Sequence, residues 1–275
     1  DELGRYEEAI EAYRHASEHP THSFEIDTLL GIDLIRTGHY AEAIEVFEAL
    51  GTQEPDNEAA YCHRVAAYTR LGEHERAEEM FYLAQQLNEH CPHCFHHMAE
   101  SLACRGSFER AIYCWQRALE IEPNYPQVRQ RIAQVYRLQE QHQKAHEYYL
   151  TALRQEPGDT EVMAEFGEFL LETDQTEAAK AKFSQILELQ SDCVRAKVTL
   201  GLIHLRDDQI ETAAELLESA MSLDPDYPGL RTYMALLAAR RSEYEDAHHH
   251  LTKALAEAPD DVTALLAMGN CLLAM

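Results

Sequence analysis

Residues 92–125 read PHCFHHMAESLACRGSFERAIYCWQRALEIEPNY. A large residue stands beside a small one at Met98-Ala99, and Leu102 follows one helical turn later. Gly106-Ser107-Phe108 interrupts the pattern, after which Ala111, Trp115 and Ala118 recur at steps of four and three, ahead of Pro123. Such steps keep side chains on one face of a helix. Glycine and proline at these places end one helix and part it from the next. The stretch predicts two amphipathic helices joined by a tight turn.

The same pattern recurs every 34 residues without an insertion. One column is small: Ala9, Ala43, Ala77, Ala111, Ala145, Ala179, Ala213 and Ala247. Four residues later stand Tyr13, Phe47, Phe81, Trp115, Tyr149, Phe183, Leu217 and Leu251. The large–small pair returns as Leu30-Gly31, Ile132-Ala133, Phe166-Gly167, Leu200-Gly201, Met234-Ala235 and Met268-Gly269. Pro55, Pro123, Pro157, Pro225 and Pro259 close five units, and Glu89 and Ser191 stand where proline is otherwise found. Two helices cross closely only where small residues meet, and one hairpin cannot bury both of its apolar faces. Stacking is therefore obligatory, with about three units as a minimum.

This large–small, Ala, aromatic, Ala, Pro signature resembles the tetratricopeptide repeat over essentially the whole chain. The resemblance implies an all-α fold: a right-handed superhelical solenoid of antiparallel helix pairs, read as one array. The expected units are 24–57, 58–91, 92–125, 126–159, 160–193, 194–227 and 228–261, with partial units at 1–23 and 262–275. An array that opens on a second helix and closes on a first, without an initiator Met, reads as a piece of a longer protein or one whose ends a partner covers. Arg64 falls on a core position, where it is expected to snorkel outward.

Composition narrows the function. The chain has 275 residues, with 49 acidic and 23 basic side chains and a formal charge of −26. Such a surface repels phosphate backbones and anionic lipid, so neither nucleic acid nor a membrane is an expected partner. No apolar run approaches the roughly 20 residues that span a bilayer. Seven cysteines, most within helical patterns, suit a reducing cytoplasmic setting. Neither a phosphate loop nor a catalytic triad is legible, so the chain reads as no enzyme and as needing no cofactor. A protein-interaction scaffold or adaptor is the leading expectation. The recognition arm of a larger enzyme resembling a glycosyltransferase or sulfotransferase, and a self-assembling scaffold, are the alternatives.

The resemblance places the first helix of each pair along an inner groove that holds a peptide or partner protein. Arg36, Arg70, Arg206 and Arg240 share one position in four units, near first-helix ends, and Arg131, Arg137 and Arg195 are also expected to face inward. Guanidinium groups there would anchor an acidic or phosphorylated segment, although the helix dipole alone also favours arginine at this place. Gln134, His97 and Glu100 complete the expected groove set. No Asn occupies the positions (Thr28, Ile32, Cys62, Ala66, His96, Glu100, Gln130, Gln134) where related proteins clamp the carboxylates of chaperone tails. Glu161, Glu165, Glu168 and Glu172 line one face of one helix, between helices carrying Arg131 and Arg137 on one side and Arg195 and Arg206 on the other. Inter-repeat ion pairs are the expected use, and a slot for a basic or amine-bearing partner is the alternative.

Cys91-Pro92-His93-Cys94 opens the fourth unit, followed by His96, His97, Glu100 and Cys104. His93, His97 and Glu100 recur at helical spacing, near His63, and such a set can hold zinc or nickel. No second Cys pair stands by to complete a zinc module, so no metal is expected. The tetrad also matches the active site of thioredoxin-like oxidants, but the βαβ scaffold those need is absent. His248-His249-His250 reads as a solvated run.

Overall fold

The computed structural model describes residues 2–17, 19 and 23–275, so part of the expected leading unit 1–23 lies outside the described residues. Sixteen helices are found among them, and no strand. They are α1 (Glu2–Ser17), α2 (Phe24–Arg36), α3 (Tyr40–Gln53), α4 (Glu58–Leu71), α5 (His74–Leu87), α6 (Pro92–Cys104), α7 (Phe108–Ile121) and α8 (Val128–Leu138). The chain continues through α9 (His142–Gln155), α10 (Thr160–Glu172), α11 (Thr176–Leu189), α12 (Val194–Arg206), α13 (Ile210–Leu223), α14 (Leu230–Arg240), α15 (Tyr244–Glu257) and α16 (Val262–Ala274). The architecture is an all-α helical-repeat solenoid. Two compact units divide it, Asp1–Tyr148 and Tyr149–Met275, the division falling within α9.

The periodic columns become the core. Ala43, Ala77, Ala111, Ala145, Ala179, Ala213 and Ala247 are all fully buried, as are Phe47, Tyr149, Phe183 and Leu217 one turn later. At Gly31 and Gly167 the small half of the large–small pair makes room for an aromatic ring opposite. A Cβ on Gly31 would stand 2.3 Å from the Phe47 ring, and one on Gly167 would stand 2.7 Å from Phe183. Both rings are themselves fully buried and have nowhere to retreat.

Each hairpin turn is closed the same way. A left-handed residue follows the first helix, at Gly38, Gly72 and Gly106 and then at Glu140, Asp174, Asp208 and Ser242. The next amide returns five residues to the helix, as Glu73 N–H to the Tyr68 carbonyl (2.9 Å) and Gln175 N–H to that of Leu170 (2.8 Å). This is the double-bonded helix stop that satisfies otherwise orphaned carbonyls. Glycine marks the turn in three units, while four others impose the same conformation on residues with a Cβ.

Unit starts need one adjustment. First helices begin where expected at Phe24, Glu58, Pro92, Thr160 and Val194, but two residues late at Val128 and Leu230. There Pro126 and Pro228 open a turn whose next residue, Gln127 or Gly229, is left-handed. The corners at Glu89 and Ser191, without proline, keep the turn and the register. Arg64 does not snorkel free. Its Nη2 donates to Glu48 Oε1 at 2.8 Å, and its guanidinium lies over the Tyr68 ring, because a mostly buried charge gains more from a carboxylate than from a short reach to water.

Candidate interaction face and a buried thiol cluster

Within the first compact unit, α2 packs beside α4 and α4 beside α6; within the second, α12 packs beside α14 and α14 beside α16. First helices therefore lie next to one another, which brings equivalent positions of successive units onto a common face. Arg36, Arg70, Arg206 and Arg240 all lie exposed at the ends of their first helices. Arg36 donates to Asp33 at 3.0 Å and lies over the Tyr6 ring. Arg70 has no ion-pair partner among the described residues. Arg206 Nη2 donates to Thr176 Oγ1 at 2.8 Å, and Arg240 stands 3.6 Å from Asp208.

The other expected anchors are already engaged. Arg131 Nε lies 3.3 Å from Glu100 Oε1, and Arg131 Nη1 donates to Gln134 Oε1 at 3.2 Å. Arg195 bridges Glu168 at 2.7 Å and Glu161 at 2.8 Å. Glu161 and Glu168 on the acidic face of α10 thus make ion pairs to the next repeat. At the start of α2, Glu25, Thr28 and Leu29 line a cleft of about 720 Å³, together with Phe24, Glu54 and Asn57.

The histidines separate. His93 Nδ1 pairs with the Tyr125 hydroxyl at 2.7 Å, whereas the His97 ring lies 6.2 Å from that of His63, which in turn stacks on Phe47. Burial holds His97 well below the ordinary imidazole range. Burial, then the charge of His93, lowers His63 to about 4; burial, then Arg131, does the same for His96. These are neutral rings that fill a half-buried space, and Glu100 is turned to Arg131. His93, His97 and Glu100 do not form a ligand set. In the later run, His250 is half-buried and its ring is lowered by burial rather than solvated.

The thiols converge where the histidines do not. Glu58 and Cys62, one turn apart on α4, meet Cys91 and Cys94, which straddle the start of α6. One ligand-capable atom from each lies within 4.8 Å of every other, and no further set of three or more does so among the described residues. Cys62 Sγ and Cys91 Sγ are 3.8 Å apart, and Cys94 Sγ is 3.3 Å from Glu58 Oε1. Cys91 is the N-cap of α6, its sulfur accepting from the Cys94 amide at 3.2 Å. Hydrogen bonds from the Cys62 and Cys94 side chains hold the Cys91 thiol well below its usual range, while the contact with Cys91 pushes Cys62 up and those with Cys62 and then Cys91 push Cys94 up. Burial raises Glu58. No second Cys pair stands beside Cys91 and Cys94, but Glu58 and Cys62 on α4 bring two further donor-capable atoms within reach. Their signal lay in the period, since the fifth position of one unit abuts the last of the same unit and the third of the next.

Regular helix pairs with a register-matched polar face, and no strand among the described residues, define a helical-repeat interaction scaffold. A tetratricopeptide-repeat family model matches residues 28–89, 166–228 and 234–274. A second matches 1–18, and a model of YpiA-like C-terminal tetratricopeptide repeats matches 126–192. The chain belongs to the tetratricopeptide-repeat family. No curated protein matches it in sequence. Its fold is similar to a chain of the APC/C hetero-tetramer Cut9–Hcn1, at 15% identity and TM-score 0.67, covering 97% of this chain and 52% of that one. This chain therefore spans about half the length of that relative. It is also similar to the C-terminal part of a repeat protein from Cytophaga hutchinsonii (18% identity, TM-score 0.67, 88% of this chain and 99% of that one). YrrB, described as a repeat protein with an unusual peptide-binding site, matches at 19% identity and TM-score 0.53, covering 73% and 99%. At these identities the likeness is one of fold.

Proposed function

We propose that the first-helix face of each compact unit holds an extended or helical segment of a partner protein whose acidic or phosphorylated groups meet arginines at the helix ends. One observation carries this reading: in a chain of formal charge −26, four guanidinium groups are exposed at one repeat position. Arg131 and Arg195, by contrast, are less exposed and pair with carboxylates of the preceding repeat. Arg36 and Arg70 are the anchors in the first compact unit, Arg206 and Arg240 in the second, with Gln134 and His97 as polar neighbours. The cleft at Thr28 and Leu29 would take an apolar side chain of the same segment.

The test uses a fluorescein-labelled library of phosphoserine peptides and its unphosphorylated counterpart, titrated at low and high salt. Arg36→Glu with Arg70→Glu should weaken phosphopeptide binding about tenfold or more, the equivalent of about 1.4 kcal/mol, with helicity unchanged. Equal binding by the double variant, or no preference for phosphate, overturns the arginine reading. A second reading, end-on association of two copies, is favoured by the exposed Leu265, Leu266 and Leu273 on α16. Light scattering against concentration separates the two: a mass that stays at one chain removes the second reading.

A further inference from the structure

Three sulfurs and a carboxylate oxygen from two neighbouring repeats share one small, mostly buried space. Cys62, Cys91 and Cys94 are all buried and Glu58 is half-exposed at the rim. Two of the six separations are close to those around a tetrahedral ion, and all six lie within 4.8 Å. Two thiolates each about 2.3 Å from zinc stand about 3.8 Å apart, and a thiolate and a carboxylate oxygen at about 2.0 Å stand about 3.5 Å apart. The structure has Cys62 and Cys91 sulfurs at 3.8 Å and the Cys94 sulfur 3.3 Å from Glu58.

The surroundings also suit a ligand set. The Cys94 amide donates to the Cys91 sulfur, the kind of outer contact that orients and stabilises a coordinated thiolate. Asn88 Nδ2 reaches the second Glu58 oxygen at 3.4 Å, leaving Oε1 turned to the sulfurs. Glu58-x-x-x-Cys62 puts two donors on one face of α4, and Cys91-x-x-Cys94 puts two around the start of α6, so each helix offers a pair to the other. Ordinary packing accounts for the arrangement poorly. Equivalent positions in other units hold Val194, Val198, Tyr227 and Leu230, or Pro228, Thr232, Asp261 and Ala264. An apolar corner or a capped one serves the fold there without a thiol.

We propose that Glu58, Cys62, Cys91 and Cys94 form a structural zinc site that clips α4 to α6. A soft, sulfur-rich set of four protein donors selects zinc over magnesium or calcium. Four protein ligands leave no position for substrate, which makes the ion a fastener rather than a catalyst. Binding releases the protons of those thiols still protonated, so uptake is stronger at higher pH. The ion would stiffen the junction between two successive units on the interaction face, a role separate from the arginine anchors.

The test takes the full chain purified under reductant. Elemental mass spectrometry should find about one zinc per chain. Cobalt(II) exchanged into the site should give intense tetrahedral visible bands and near-ultraviolet sulfur-to-cobalt charge transfer. Cys62→Ser and Cys94→Ser should each weaken zinc more than about 100-fold, beyond the ~10–100-fold typical of outer-shell contacts. Glu58→Gln should weaken zinc while keeping the cobalt–sulfur bands. His93→Gln with His97→Gln should leave the stoichiometry unchanged. If a serine variant fails to fold, the wild-type cobalt spectrum decides alone. A reduced chain that takes up neither zinc nor cobalt overturns the proposal. So does a cobalt spectrum without sulfur charge transfer, a site that loads iron in preference, or zinc lost only in the histidine variant.

Discussion

The corner between α4 and α6 and the corner between α12 and α14 occupy the same place in the repeat and are built from opposite chemistry. The first joins Glu58, Cys62, Cys91 and Cys94 in a polar, polarisable knot. The second joins Val194, Val198, Tyr227 and Leu230, with Val198 and Leu230 buried in an apolar cluster. A third version, between α14 and α16, bonds Thr232 Oγ1 to Asp261 Oδ2 at 3.2 Å while Asp261 caps the helix. The repeat demands only that this corner be filled and its helix start satisfied. What fills it is open, which is how an otherwise uniform array acquires a local site.

The largest expected effect breaks the apolar corner. Leu230→Ala should cost about 2–5 kcal/mol by urea denaturation, the usual loss for a fully buried leucine. Cys62→Ala with chelator present should cost clearly less, since a single sulfur is removed. Equal losses would mean that the thiol corner is packed as tightly as the apolar one. Next come the close helix crossings, which both compact units share. Gly31→Ala and Gly167→Ala should each destabilise by about 1–3 kcal/mol through overpacking, even though alanine is the better helix former by about 1 kcal/mol. A gain at either site would show that the Phe47 or Phe183 ring can move.

The polar corners differ by smaller amounts. Asp261→Ala removes a cap and the Thr232 partner and should cost about 1 kcal/mol, measured as a lowered Tm. Cys91→Asp, replacing one capping acceptor by a better one, should be nearly neutral in chelator and destabilising in zinc. Identical behaviour in the two conditions would dissolve the distinction between the corners. Smallest are the hairpin turns. Asp208→Gly and Ser242→Gly should each stabilise by about 0.5–1 kcal/mol by relieving a left-handed residue of its Cβ. No change at either would place the strain elsewhere.

The hairpins, their order and their core columns were legible in the sequence, since a fixed period with small and large residues at helical spacing leaves one way to bury both faces. The left-handed turn position was half legible: glycine announced it at Gly38, Gly72 and Gly106, whereas Glu140, Asp174, Asp208 and Ser242 gave no composition signal. Late helix starts at Val128 and Leu230 were hidden because proline is compatible with a first helical turn, as Pro92 shows, as well as with a turn before it.

The sequence by itself determined the repeat, because each unit's pattern is local and reinforced by its neighbours. It also determined that this acidic chain carries register-matched arginines. Only the tertiary structure decided that Arg131 and Arg195, outside that register, are engaged by carboxylates of neighbouring repeats while the four register-matched arginines stay exposed. It alone brought Glu58 and Cys62 to Cys91 and Cys94. Charge pairing and ligand convergence depend on distances between side chains far apart in the chain, and a period fixes positions along a repeat without fixing which atoms meet across it.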